Sequence, residues 1–309
     1  MARLSITHSP LVCLTSAALF WAVGTVISKA LLTSVSPLTY LITQLAPSAC
    51  VMWIIVRIAG GPSAGWRTIL PVALLGWVNP GLSYTFSTLG LAQSTASVAT
   101  LLWAAEPAVI VVLAWFILGE TITLRFLAAT ATAVCGVLLV TGVIGGSAGL
   151  ATSAHGALLI MAGVLCCATY TVVSRRLILR VDPLLAVTLQ QTVALIWVMA
   201  IWPLEGHSGA FAALTALTPR SILGGALAGL MYYAAASWLY LRALKSVPAT
   251  TASIFLNLQP VFGVAIAYAF LGERLTDSQW LGAVTIVVSV FTLLMWSGLA
   301  EKRASAAQT

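Results

Sequence analysis

The sequence predicts an all-α polytopic membrane protein: ten transmembrane helices arranged as two inverted five-helix repeats, with both chain ends in the cytoplasm. Three observations carry that expectation. Of the 309 residues 61% are apolar and only 7% charged, with a mean hydropathy of +1.06, whereas ordinary soluble domains carry about 25% charged residues. The apolar residues fall into runs of membrane-spanning length. Residues at the ends of those runs recur in the same order in both halves of the chain. This composition excludes a disordered chain, a collagen, a small disulfide scaffold and a nucleic-acid binder. The formal net charge of +7 then reports loop orientation and not attraction to nucleic acid.

A bilayer core of about 30 Å takes roughly 20 apolar residues of helix. That ruler places spans at about residues 11–31, 37–59, 68–90, 95–118, 122–143, 155–179, 184–202, 221–243, 249–271 and 277–299. The runs are continuous and lack two-residue alternation. Since only helices or closed barrels satisfy every backbone group in lipid, they read as helices. The first run is too long for a signal-peptide core and is closed by Lys29, so no cleavable signal is expected. Connections are short except for the Gly-rich 144–154 and the more polar 203–220. With the N terminus inside, 11 of the 14 Lys and Arg residues fall on the cytoplasmic side, and only Lys29, Arg220 and Arg274 on the other. That bias sets the orientation. Five-span units occupy 11–143 and 155–299, followed by a cytoplasmic tail at 300–309.

The two units echo each other. At an offset of 146 residues, Thr25, Ser28, Lys29, Pro37 and Gln44 meet Thr171, Ser174, Arg175, Pro183 and Gln190. At an offset of 153, Pro107 meets Pro260, Leu118-Gly119-Glu120 meets Leu271-Gly272-Glu273, and Thr123 meets Thr276. The seven-residue shift is largely absorbed in the longer connection 203–220. Five is odd, so the second copy is inverted relative to the first. That architecture serves secondary transporters, because two similar halves can exchange conformations around one midplane site.

The first span reads Phe20-Trp21-Ala22-Val23-Gly24-Thr25-Val26-Ile27-Ser28-Lys29. The fourth carries Glu106-Pro107 and then Leu-Gly-Glu, and the ninth Gln259-Pro260 and then Leu-Gly-Glu. In these marks the chain resembles the drug/metabolite transporter (DMT) superfamily in its EamA-type branch, over about residues 11–299. Within it the chain looks most like YddG-type amino-acid exporters. The first span departs from the branch in having Trp-Ala-Val-Gly where Trp-Gly is usual. The resemblance implies a basket of ten helices in which spans 1, 3, 4, 6, 8 and 9 line a central cavity and spans 5 and 10 lie at the periphery. It also implies export from the cytoplasm by alternating access.

Among the acidic residues only Glu106 falls mid-span; the others sit at helix ends, in loops or in the tail. An ionised carboxylate at the bilayer centre costs on the order of 2.5–3.5 kcal/mol or more, so Glu106 faces a wet cavity or carries a proton. It serves a substrate ammonium, titrates, or makes a structural hydrogen bond to a neighbouring helix. Its repeat mate Gln259 is neutral, and that asymmetry favours a ligand contact. Trp103 lies three residues before Glu106, on the same helical face, where ring and carboxylate together suit a cation with an apolar part; packing is the rival role.

Four polar stripes extend the pattern: Trp21, Thr25 and Ser28 on the first span, and Asn79, Ser83 and Tyr84 on the third. The sixth carries Cys167, Tyr170, Thr171 and Ser174, and the eighth Tyr233, Ser237 and Tyr240. Each stripe lines a polar path or glues helices, the latter at about 0.6 kcal/mol per bond. Together they favour a shared cavity. Trp21, Thr25, Asn79, Tyr84, Trp103, Glu106, Tyr170, Tyr233, Ser237 and Gln259 are the candidate substrate contacts. Pro107 and Pro260, on the helices bearing Glu106 and Gln259, are the candidate hinges. Lys29 either snorkels to the interface or joins a salt bridge that opens and closes with transport. Pro71 falls in the first turn of its span, where proline is tolerated. Gly225 and Gly229 form a GxxxG for a close contact within the monomer, with dimerisation as the alternative. Trp53, Trp66, Trp115, Trp202, Trp280 and Trp296 are assigned to interfacial belts.

The five cysteines all sit in apolar runs and read as small buried packing residues, without disulfide or metal roles. The three histidines have no metal-ligand spacing. Gly145-Gly146-Ser147-Ala148-Gly149 fits a nucleophile-elbow pattern but lacks its strand-turn-helix setting, and there is no phosphate-binding lysine loop. The expected protein is therefore no enzyme and takes no cofactor or metal. It is an inner-membrane exporter of small metabolites, foremost amino acids of broad or aromatic preference, working as a monomer in the bilayer. A multidrug or cationic-compound exporter of the same fold is the alternative; from other classes, an intramembrane enzyme would need a buried nucleophile with a base nearby, which the sequence does not offer, and a channel is the third option.

Overall fold

The computed structural model describes residues 10–61, 65–106, 153–174, 181–205, 217–244 and 258–289. It also describes the short stretches 109–110, 112–113, 128, 131–132, 135–136, 138–139, 255–256 and 292. The chain is all-α throughout these residues, and five of its helical stretches are long and apolar enough to cross a bilayer: Pro10–Leu31, Pro37–Ile58, Ala154–Val173, Pro183–Glu205 and Pro219–Ala243. Large apolar side chains such as Ile58, Leu74, Ile196, Leu223 and Phe270 cover the outside, as a surface bathed in lipid tails requires.

Helices α1 (Pro10–Leu31) and α2 (Pro37–Ile58) form the first hairpin. The third expected span is broken into three pieces. Helix α3 (Trp66–Gly76) runs into a π-helical turn (Trp77–Leu82), which runs into α4 (Ser83–Ala92). Pro80 lacks the N–H a continuous helix needs, and Asn79 before it is extended at φ −143°, ψ 120°. Helix α3 begins at Trp66, so Pro71 stands past the first turn, deeper than the sequence suggested. Helix α5 (Ala96–Trp103) is capped by the Thr95 hydroxyl, which accepts from Val98 N–H at 3.1 Å.

The second half opens with α6 (Ala154–Ser174) and α7 (Pro183–Ile201), the latter extended by a 3-10 turn (Trp202–Glu205). Pro183 stands at the first turn of α7 just as Pro37 does in α2, where a missing N–H costs nothing. The eighth expected span is again interrupted. Helix α8 (Pro219–Gly229) passes through a π-helical turn (Leu230–Ala236) into α9 (Ser237–Leu244). Helix α10 (Leu258–Leu271) follows, and residues 277–289 are helical beyond it. The two π-turns begin at Trp77 and Leu230, 153 residues apart, so the interruption repeats in register.

Helices α2 and α7 are joined along their length. Ser48 donates to Gln191 Oε1 at 2.6 Å, Trp53 Nε1 to Thr192 Oγ1 at 2.9 Å, and Trp202 Nε1 to Thr39 Oγ1 at 3.0 Å. Trp53 and Trp202 are thus tied to a neighbouring helix as well as lying near the ends of spans. Trp66 and Trp280 are exposed as a belt requires; Trp115 and Trp296 lie outside the described residues. The Gly225/Gly229 pair does make a close contact inside the chain: Gly225 meets Thr43, and Gly229 lies on the Gln44 backbone. One expectation fails. Cys13 and Cys167 are buried, but Cys50 and Cys135 are exposed on the apolar outside. In lipid a small thiol is as acceptable outside a bundle as within it, so apolar context alone does not report burial.

Candidate functional site

A cavity is bordered by both π-turns, through Asn79 and Pro80 of the first and Tyr232 and Tyr233 of the second. Nine of the ten expected contact residues line it: Trp21, Asn79, Tyr84, Trp103, Glu106, Tyr170, Tyr233, Ser237 and Gln259. Thr25 lies instead on a smaller neighbouring chamber, its hydroxyl donating to the Trp21 carbonyl at 2.9 Å. Pro107 falls outside the described residues. Pro260 is buried near the start of α10 beside Gln259.

The backbone explains how the side chains come together. Before Pro107, which cannot donate to the carbonyl four residues back, α5 tightens. Ala104 and Ala105 donate three residues back, to Leu101 and Leu102, both at 3.1 Å. Trp103 and Glu106 flank this irregularity and both reach the cavity. The second π-turn brings two adjacent tyrosines, Tyr232 and Tyr233, onto the same wall. Adjacent positions of a regular helix diverge by about 100°, which is why the sequence reading singled out Tyr233 and missed Tyr232. Gln191 supports this turn from α7, donating to the Tyr233 carbonyl at 2.9 Å.

Aromatic rings make up much of the wall. Tyr84 meets Tyr232 and Tyr233 edge-on, at 5.3 and 5.0 Å between ring centres, and lies 6.1 Å from Trp103. Trp21 meets Tyr240 at 5.5 Å. Glu106 shares a hydrogen bond with the Cys167 thiol, and among the described residues it is the only charged group on the wall. Tyr170 donates to Gln190 Oε1 at 3.0 Å. Three polar atoms of lining residues have no hydrogen-bond partner among the described residues: the donors Trp21 Nε1 and Gln190 Nε2, and the acceptor Asn79 Oδ1. Buried polar groups are nearly always satisfied, so these two donors and one acceptor are available to water or to a bound molecule. Gln190 was visible in the sequence only as the repeat mate of Gln44. Helix α7 is apolar nearly all round and carries no stripe to mark it. Among the described residues no cluster of His, Cys, Asp or Glu can hold a metal ion.

The profile of the EamA-like transporter family matches residues 8–142 and, a second time, residues 154–295. The chain belongs to the EamA-like transporter family. It is a multi-pass membrane protein that moves small molecules across the bilayer, and it is not an enzyme. A solved structure described as "Crystal structure of protein" shares the fold, with a TM-score of 0.65 over 95% of this chain and 99% of that one, at 16% identity. No curated protein matches the sequence. In this EamA-like transporter each of the two profile matches takes in one interrupted helical stretch, α3–α4 or α8–α9, and the two break at corresponding π-turns.

Proposed function

We propose that this EamA-like transporter exports small amphipathic metabolites, foremost amino acids of broad or aromatic preference, from the cytoplasm across the inner membrane. On this reading it is a monomer of ten spans, with inverted units at 11–143 and 155–299 and both ends, including the tail 300–309, in the cytoplasm. It resembles the YddG-type exporters in kind, and it works by alternating access with Pro107 and Pro260 as hinges.

The observation that carries the reading is the pairing of one carboxylate with an aromatic wall and unpartnered donors. Glu106 and Asn79 Oδ1 suit a substrate ammonium, the Gln190 and Trp21 donors suit a carboxylate, and the tyrosines and Trp103 suit an apolar side chain. Matching π-turns in the two halves support the inverted repeat. The test is a panel of labelled amino acids in proteoliposomes, with and without an imposed pH gradient. Saturable, protein-dependent flux of aromatic amino acids is the expected result, and absence of flux across the whole panel refutes the substrate assignment.

One observation favours a second reading. No Lys, Arg or His lines the cavity among the described residues, so a cationic compound without a carboxylate also fits. Competition between a lipophilic cation and an amino acid for export separates the two.

A further inference from the structure

Beside the main cavity lies a smaller chamber. The two share the wall formed by Tyr84, Trp103, Tyr232 and Tyr233. Its far side is polar, with Thr25, Ser28, Gln44, Ser87 and Thr88, and Ser87 Oγ has no partner among the described residues. Leu91 also lines the chamber, and its carbonyl accepts from Lys29 Nζ at 3.2 Å. The Lys29 charge is in turn attracted by Glu273.

Glu273 follows Gly272, whose φ of +65° is the left-handed turn that ends α10. That turn carries the carboxylate onto the start of α5. One oxygen accepts from Ala96 N–H at 2.9 Å; the other accepts from Ser97 N–H at 2.9 Å and from the Ser97 hydroxyl at 2.8 Å. A carboxylate on the free N–H groups of a helix start is a charge-assisted contact. Here it joins the helix bearing Trp103 to the helix bearing Gln259, at the end remote from the site. Among the described residues no other side-chain hydrogen bond connects α5 to α10.

The geometry points to Glu273 as a positioning residue of the transport cycle: by holding the start of α5 it latches shut the end of the bundle that the polar chamber leads to. This rests on the carrier reading above, under which that end faces outward. A second carboxylate provides the contrast. Glu205 caps the start of α2 in the same way, accepting from Leu38 N–H at 2.6 Å, Thr39 N–H at 3.0 Å and the Ser36 hydroxyl at 2.9 Å. But α2 and α7 are also joined by Ser48–Gln191, Trp53–Thr192 and Trp202–Thr39. Releasing Glu205 leaves that pair hydrogen-bonded; releasing Glu273 leaves α5 and α10 held by packing alone, as where Thr100 lies against Gly263.

The test reads accessibility without needing a substrate. Thr88→Cys places a thiol in the polar chamber, and its modification by a membrane-impermeant maleimide is timed in intact cells against a control without the added cysteine. Glu273→Gln, checked as monodisperse in detergent, is expected to speed modification about tenfold, equivalent to about 1.4 kcal/mol. Glu273→Asp, which keeps the charge one methylene further back, is expected to fall between and serves if the Gln variant does not fold. Glu205→Gln is expected to stay within about twofold of the unaltered latch. An unchanged rate in both Glu273 variants, an equal rise in Glu205→Gln, or a rise confined to inverted vesicles overturns the proposal. The two readings fail separately. A rate shift in a protein that exports nothing tested leaves the latch standing and removes the substrate assignment; flux with unshifted rates does the reverse.

Discussion

Gly229 of α8 lies directly on the backbone of Gln44 in α2, so close that any side chain there would run into the Gln44 carbonyl. The same contact recurs 153 and 146 residues away: Gly76 of α3 lies on the backbone of Gln190 in α7, nearest its carbonyl. Each glycine is followed at once by a π-turn that borders the cavity. The close approach of two backbones therefore sets the position of each interrupted span against the second span of the opposite half.

Replacing Gly229 by Ala forces α8 away from α2. A loss of about 1–3 kcal/mol is expected, as for an overpacked interior, with a similar loss for Gly76→Ala. Gly65→Ala, where nothing lies within 4 Å, is expected to stay within about 0.5 kcal/mol. Unfolding in detergent, followed by tryptophan fluorescence, checks all three.

Glu106→Gln keeps the shape of the cavity and removes its charge. Export of ammonium-bearing substrates is expected to fall at least about tenfold while the purified protein remains monodisperse. Such a loss corresponds to about 1.4 kcal/mol, at the lower end for a lost charged hydrogen bond. Equal flux in the variant shows that the carboxylate serves helix packing alone.

Tyr84 touches three other rings, and each such pair contributes about 0.5–1.5 kcal/mol. Tyr84→Leu is expected to raise KM for aromatic substrates by roughly five- to tenfold and to change KM for small aliphatic ones much less. Initial rates of efflux over a concentration series measure the difference.

Gln191 serves two partners at once, the Ser48 hydroxyl at 2.6 Å and the Tyr233 carbonyl at 2.9 Å. Gln191→Leu leaves both without it, at about 1–3 kcal/mol for each buried group left unsatisfied. Adding Ser48→Ala should recover part of the loss, and a double-mutant cycle on unfolding free energies reads the coupling.

Labelling should separate the cysteines by exposure. A lipid-soluble maleimide is expected to modify Cys50 in the folded protein and leave Cys13 untouched until unfolding. Mass spectrometry of the digested chain assigns the sites.

Helix content, the expected spans over α1, α2, α6 and α7, and the repeat were legible because each leaves a one-dimensional mark: a run of apolar residues, a proline at a helix start, a spacing that recurs. Trp103 and Glu106 were legible together because three residues of helix bring side chains onto one face. Tyr232, Gln190 and Gln191 were hidden, since a π-turn shifts the face a residue presents and an apolar helix carries no stripe to mark its polar few. Leu271-Gly272-Glu273 was visible as a repeated motif without a cause. Its cause lies 177 residues away in sequence, at Ala96.

The sequence by itself determined that this chain spans membranes as helices, because lipid leaves the backbone no other way to satisfy its polar groups. It also determined that one acid, Glu106, stands apart from the rest. Only the tertiary structure decided which rings and amides surround that acid, where the stretches α3–α4 and α8–α9 break, and which helix start Glu273 holds. Those outcomes depend on how closely distant backbones approach, and that distance is a property of packed helices, not of any local run of residues.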